Sequence, residues 1–483
     1  MTGCGSPMPS PPAGDDTDTD TLRRQAACLL ALQEAACDRR RLADDLDRLH
    51  GSLSWRLTAP LRRLRAWLFP PTPAAPVLAP AHPGDADTLE DPTTLLRRQL
   101  GLDARALPAQ APRLYVDVTE LACEDLVGGI QRTTRRILAE WLLAPPQGLR
   151  VEPVRLAADG RYVHARAHLA RMLGLAHAQA GADVAVAARA GDRFVGLDLV
   201  RDHVPQARTA LAALRAQGVV IGVVLYDLLP MQHPEWFPEG IATRFADWVQ
   251  AVAEPADCLL CISRSVADQA ATTLALPPMA RPRIVDFPLG SDLEALTPAH
   301  LRLPARQDGW LRWLMVGTVE PRKGHAQALD AFERLWSDGH AVELVIVGRP
   351  GWRVEALLDR LAVHPQRGRR LHWCDAANDA DLLAAYRDAD VLLAASSGEG
   401  YGLPLVEAAR QGLPILARDL PVFREVAGAG ADYFRAGDGA ELAQAMQAWM
   451  LRREQGAVAD PGGVRQCDWR DSAAALAAEL IRA

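Results

Sequence analysis

The 483-residue chain is too long for one ordinary domain, and its 49% hydrophobic and 23% charged content is that of a globular protein rather than a disordered one. A formal net charge of −7 excludes a general affinity for nucleic acid, whose phosphates ask for a basic face. No run approaches the ~18 to 20 apolar residues of a membrane span, and the N-terminal MTGCGSPMPSPPAGDD has neither a basic n-region nor an apolar h-region. A cytoplasmic location is expected. The eight cysteines form no disulfide framework, and the C-x-x-C of Cys258 and Cys261 falls in a strand-like apolar run. Residues three apart on a strand point to opposite faces, so this pair does not grip a metal.

In chain order, residues 1–20 read as a disordered head rich in Pro, Gly, Ser and Asp. Residues 21–69 read as helical. Leu22, Leu29, Leu32, Leu42, Leu46 and Leu49 recur at coiled-coil spacings, which predicts a dimer or partner-binding helix over 21–50. The stretch 52–69 sets Arg56, Arg62, Arg63 and Arg65 among Trp55, Trp67 and Phe69, with no acid. It suits either an anionic membrane surface or a helix docked on protein. Residues 70–110 open on a proline-rich linker. Beyond them strands and helices alternate, the signature of parallel sheets with crossover helices. Two doubly wound, Rossmann-like α/β domains are predicted, over 111–297 and 298–467, with a hinge in the Pro- and Gly-containing stretch 297–308. Residues 468–483 read as a terminal helix.

In doubly wound sheets ligands bind at the carboxyl ends of strands, where loop amides and helix N-termini face the crevice. Four segments fall there. Gly317–Gly324 (Gly-Thr-Val-Glu-Pro-Arg-Lys-Gly) follows the strand 314–316. Its Lys323 is the single lysine of the chain, against 52 arginines. A compact ammonium beside a guanidinium at a helix start suits a diphosphate and neutralises charge that grows as a leaving group departs. A second loop, Ser396–Ala408, carries Gly398, Gly400 and Gly402 with Glu399 in the loop and Glu407 about one turn into a helix. The two carboxylates are then ~10 Å apart, too far for a shared glycosidase site and suited to two sugars of one extended ligand. The pair Gly128-Gly129 opens a helix in the first half, a weak signal alone. Lastly, Asp227 ends a buried strand in Tyr226-Asp227-Leu228-Leu229-Pro230, with His233 close behind; an Asp there can orient an acceptor hydroxyl.

Glu-Pro-Arg-Lys-Gly after a strand, together with Glu-x7-Glu at Glu399 and Glu407, resembles the donor site of the retaining GT-B glycosyltransferases of group 1. The likeness runs from about Arg113 to Ala483. It implies a GT-B fold with a central cleft and a nucleotide-diphosphate sugar as co-substrate. By position, Thr318, Arg322 and Lys323 would serve the diphosphate, Glu399 the transferred sugar, and the amides of Gly400, Tyr401, Gly402 and Leu403 sugar and phosphate. Glu407 would hold the ribose, the loop with Cys374 and Asp375 the base, and Gly128 and Gly129 would close over the phosphates. Asp227, Glu399, Lys323 and Arg322 are the catalytic candidates, and Asp227 and His233 the acceptor candidates. No metal or other cofactor is expected, because the cations take its place. Tyr226 departs from the pattern, since many relatives have a His there.

The expected activity is transfer of a hexose or deoxyhexose, with GDP-mannose as the expected donor, to a glycan or lipid-linked acceptor in polysaccharide, lipopolysaccharide or O-antigen synthesis. It would take place at the inner face of the membrane. The rivals are a coiled-coil scaffold with a degenerate donor site and a sugar-nucleotide epimerase of the same fold.

Overall fold

The computed structural model describes residues 111–123, 128–146, 148–166, 168, 183–200, 204–274, 282–293 and 299–483. The predicted head, coiled coil, basic amphipathic segment and linker lie outside the described residues, as do residues 297 and 298 of the predicted hinge.

Two sheets carry the chain. The first has β1 (Arg113–Asp117), β2 (Arg150–Leu156), β3 (Tyr162–His164), β4 (Arg193–Gly196), β5 (Val220–Leu225), β6 (Cys258–Cys261) and β7 (Arg283–Asp286), in the order β3-β2-β1-β4-β5-β6-β7. All its pairings are parallel except β2 with β3. The second has β8 (Leu311–Val316), β9 (Val342–Val347), β10 (Leu371–Cys374), β11 (Val391–Ala394), β12 (Ile415–Arg418) and β13 (Asp432–Phe434), in the order β10-β9-β8-β11-β12-β13, parallel throughout. The pair is the GT-B arrangement. Strand order reverses direction between β1 and β4 in one sheet and between β8 and β11 in the other, and these switch points open the crevices where ligands bind.

The strands are short apolar runs because helices cover both faces. Cys258 packs in one core cluster and Cys261 in another, both as free buried thiols on opposite faces of β6. The three-residue strands β3 and β13 were not foreseen, being too short to show a period. Helix His325–Ser337 buries the stripe Ala328, Leu329, Phe332, Leu335 and Trp336.

The last helix, Trp469–Arg482, returns to the first sheet. A Cβ on Gly222 of β5 would lie 2.6 Å from Leu480, so glycine in that central strand makes room for the helix. The Trp141 indole donates to the Ala473 carbonyl at 3.0 Å, and Arg283 pairs with Glu479 at 2.7 Å. Leu476, fully buried there, is expected to cost ~2–5 kcal/mol when cut to alanine. Urea unfolding of Leu476→Ala checks this, and an unchanged midpoint would show that the helix is only loosely seated.

Candidate functional site

The loops after β8 and β11 flank the switch point of the second sheet, and between them they carry four charged or polar side chains that meet. After β8 the chain turns through Pro321–Lys323 and enters its helix at Gly324, whose φ of 74° places it in the left-handed region. A Cβ there would also lie 2.4 Å from the Ala395 carbonyl oxygen, so a glycine lets the two loops close on each other. After β11, Ser396–Gly402 leads into helix Leu403–Arg410, with Gly402 at φ 103° and Pro404 in its first turn.

Glu399 is the centre. Its Oε1 accepts from the Lys323 ammonium at 2.5 Å and the Ser396 hydroxyl at 2.7 Å, and its Oε2 from Arg322 at 3.0 Å. Burial works against this carboxylate, but Lys323 and Arg322 outweigh it and hold its pKa at about 2. Arg322 also donates to the Gly398 carbonyl at 2.8 Å and pairs with buried Glu320 at 2.7 Å. Burial raises the pKa of Glu320, with Arg322 opposing. His325, next along the helix, is buried and neither ring nitrogen meets a partner. Burial, reinforced by Lys323, lowers its pKa to about 3, so the ring is neutral and adds no positive charge to the site.

The first sheet faces this cluster through Asp227, two residues past β5. Its carboxylate accepts from the Leu229 amide at 3.0 Å; burial raises its pKa and the field of Arg322 opposes. Contact with the glycine loop is intimate. A Cβ on Gly400 would lie 1.9 Å from the Tyr226 carbonyl oxygen, and one on Gly398 would lie 2.7 Å from the Trp236 ring. Ser263 donates to the Gly400 carbonyl at 2.7 Å. Tyr226 turns away, donating to the Leu197 carbonyl at 2.8 Å.

The other predicted residues fall at different places. Glu407 is buried inside its helix; it accepts from Tyr386 at 2.6 Å and from Arg132 of the first domain at 2.5 Å. Gly128 caps the helix Gly129–Leu143 that carries Arg132. Thr318 is half-buried beside Gly351, Cys374 ends β10 with its thiol pKa raised by burial, and Asp375 is exposed in the following loop. Tyr401 is buried and directs its hydroxyl to the Leu289 carbonyl at 3.4 Å, away from the Glu399 cluster, so it offers the site only its backbone. Leu403 starts the helix, half-buried. The His233 ring stacks on Trp236 at 3.9 Å and approaches Glu235 at 3.2 Å.

Glu320, Ser396, Arg132, Tyr386 and Asp379 were missed. Glu320 and Ser396 sit inside the two loop motifs and Arg132 lies just past Gly128-Gly129, where periodicity gives no reason to single them out. Asp379 and Tyr386 lie on an ordinary amphipathic helix, and only the fold brings them to the cleft.

Residues 306–459 match the model of the family described as glycosyl transferases group 1. The chain carries a group 1 glycosyl transferase domain. This domain contains the β8 loop, the glycine loop and Glu407. The chain is 37% identical over 380 residues to the serotype-specific mannosyltransferase WbdA of Escherichia coli, covering 76% of this chain and 46% of that protein. It is 34% identical over 207 residues to the phosphatidyl-myo-inositol mannosyltransferase of Mycobacterium leprae, covering 41% of this chain and 52% of that one. The chain thus spans about half the length of these curated relatives. In three dimensions it resembles the N-terminal domain of Candida albicans trehalose-6-phosphate phosphatase, with a TM-score of 0.50 and 13% identity over 78% of this chain and 98% of that one, a likeness of fold. Among the described residues no helix is long and apolar enough to cross a membrane.

The depressed Glu399 pKa has a sign that can be tested. A carboxyl lowered on folding stabilises the protein above its unfolded pKa, near 4.5, and loses that contribution as pH falls towards about 2. Urea unfolding of wild type and Glu399→Gln is expected to show a stability gap that narrows on acidification through this range. A constant gap would mean that the ion pairs contribute nothing on balance.

Proposed function

We propose that the protein is a retaining, metal-independent glycosyltransferase that moves mannose from GDP-mannose to a glycan or lipid-linked acceptor in cell-surface polysaccharide synthesis. The observation that carries the reading is the cluster of Arg322, Lys323 and Glu399 facing Asp227 across the cleft. The mannosyltransferase relatives support the choice of sugar.

In this reading Arg322 and Lys323 hold the donor diphosphate, taking the place of a divalent cation. Their charge stabilises the leaving group where negative charge develops. Glu399 gives up part of its contact with them and accepts hydrogen bonds from the hydroxyls of the transferred sugar, while Glu407 receives the ribose. Asp227 orients the acceptor hydroxyl. The bond from the anomeric carbon to the β-phosphate oxygen breaks, and the acceptor oxygen bonds that carbon from the same face. The acceptor proton passes to the departing phosphate oxygen. The leaving group serves as base, so no separate nucleophile and base pair is required. Burial raises the pKa of Asp227, with the field of Arg322 opposing, and in this reading its part is to orient the acceptor hydroxyl.

The test is nucleotide release from GDP-, UDP- and dTDP-sugars in EDTA, with wild type, Lys323→Ala and Glu399→Ala. Release from GDP-mannose is expected, falling by roughly 10²-fold or more in both variants. Release that persists in both variants, or that needs a divalent cation, would overturn the reading. The anomeric configuration of a product, read by NMR, is expected to match that of the donor.

A further inference from the structure

We infer that Arg132 is a latch: a first-domain arginine that occupies the ribose position on Glu407 and must leave when a nucleotide arrives. The inference rests on the reading of Glu407 as the ribose-binding carboxylate.

The two oxygens of Glu407 are both engaged. Oε2 accepts from the Tyr386 hydroxyl at 2.6 Å, deep in the second domain, and this contact fixes the carboxylate plane. Oε1 accepts from Arg132 at 2.5 Å. The Glu407 side chain is only 3% exposed, whereas Arg132 is 27% exposed, so the guanidinium stands between the carboxylate and solvent. Arg132 is the more exposed partner of the pair, so in this reading a ribose hydroxyl that binds Glu407 competes with it. The second guanidinium nitrogen pairs with Asp379 at 3.2 Å, and Arg136, one turn further along the same helix, pairs with Asp379 at 2.9 Å. Burial disfavours the Asp379 carboxylate, yet Arg132 and Arg136 outweigh it and lower its pKa.

Stripping Arg132 from Glu407 with nothing in exchange would leave a buried, uncompensated carboxylate, a costly state. Ribose hydroxyls supply replacement donors, so the exchange is favourable only when nucleotide is present. Arg132 lies in the first turn of helix Gly129–Leu143, three residues from Gly129. The same ion pair therefore ties the start of that helix, with its glycine pair, to the second domain. Binding of the ribose frees it, while Arg136 keeps its hold on Asp379.

Calorimetry with GDP tests this on wild type, Arg132→Met and Arg136→Met, the last as a control that leaves Glu407 untouched. Arg132→Met is expected to bind GDP roughly five- to tenfold more tightly, and Arg136→Met within about twofold of wild type. With 2′,3′-dideoxy-GDP, which has no hydroxyl to compete, the gain in Arg132→Met should vanish. Unchanged or weaker GDP binding in a folded Arg132→Met, checked by circular dichroism, would overturn the latch and leave the donor site standing. An equal gain with both nucleotides would also overturn it, by pointing to a general loosening. Failure of wild type to bind GDP or UDP at all would sink the donor-site reading, and the latch with it.

Discussion

Everything at the cleft depends on one buried carboxylate being outweighed by two cations. Burial works against the charge of Glu399; Lys323 and Arg322 keep it ionised, and it in turn offsets two positive charges that are themselves largely buried. Such a knot is weak evidence of stability, since desolvation takes back much of the Coulombic gain. Its value lies in arrangement. The loops after β8 and β11 are neighbours only because strand order reverses between those strands, and the ion pairs lock them at that point.

The second constraint is closeness of backbone. Gly324 lets one loop touch the Ala395 carbonyl, and Gly400 lets the other press on Tyr226 of the opposite domain. Around them the domains are bridged at several places. The Trp352 indole donates to the Trp236 carbonyl at 2.9 Å, and the Glu425 carboxylate accepts from the amides that open helix Arg264–Thr273 at 2.6 and 2.8 Å. The terminal helix crosses back to β5, so the two domains are bridged on several sides of the cleft.

Much of this was legible in the sequence. Buried strands and the helices between them show as apolar runs and stripes, and a lone lysine after a strand marks itself. Glu399 was visible because Gly398 and Gly400 frame it, and Glu407 because it follows at the Glu-x7-Glu spacing. What could not be read is whatever depends on two distant segments meeting. Glu407 looks the same in the sequence whether it faces a ligand or an arginine 275 positions away. Tyr401, in the middle of the glycine motif, has an expected role only through its amide, and the direction of its hydroxyl to the Leu289 carbonyl could not be read from the sequence. The stacking of His233 on Trp236 is likewise invisible in the sequence. Short strands such as β3 and β13 leave no period to detect.

The most direct measurement is a crystal structure of the protein with GDP. The account predicts the β-phosphate within hydrogen-bond distance of the Lys323 ammonium and the Arg322 guanidinium, with Glu399 released from at least one of them. A diphosphate bound away from the β8 loop, with Glu399 still clasped by both cations, would contradict it.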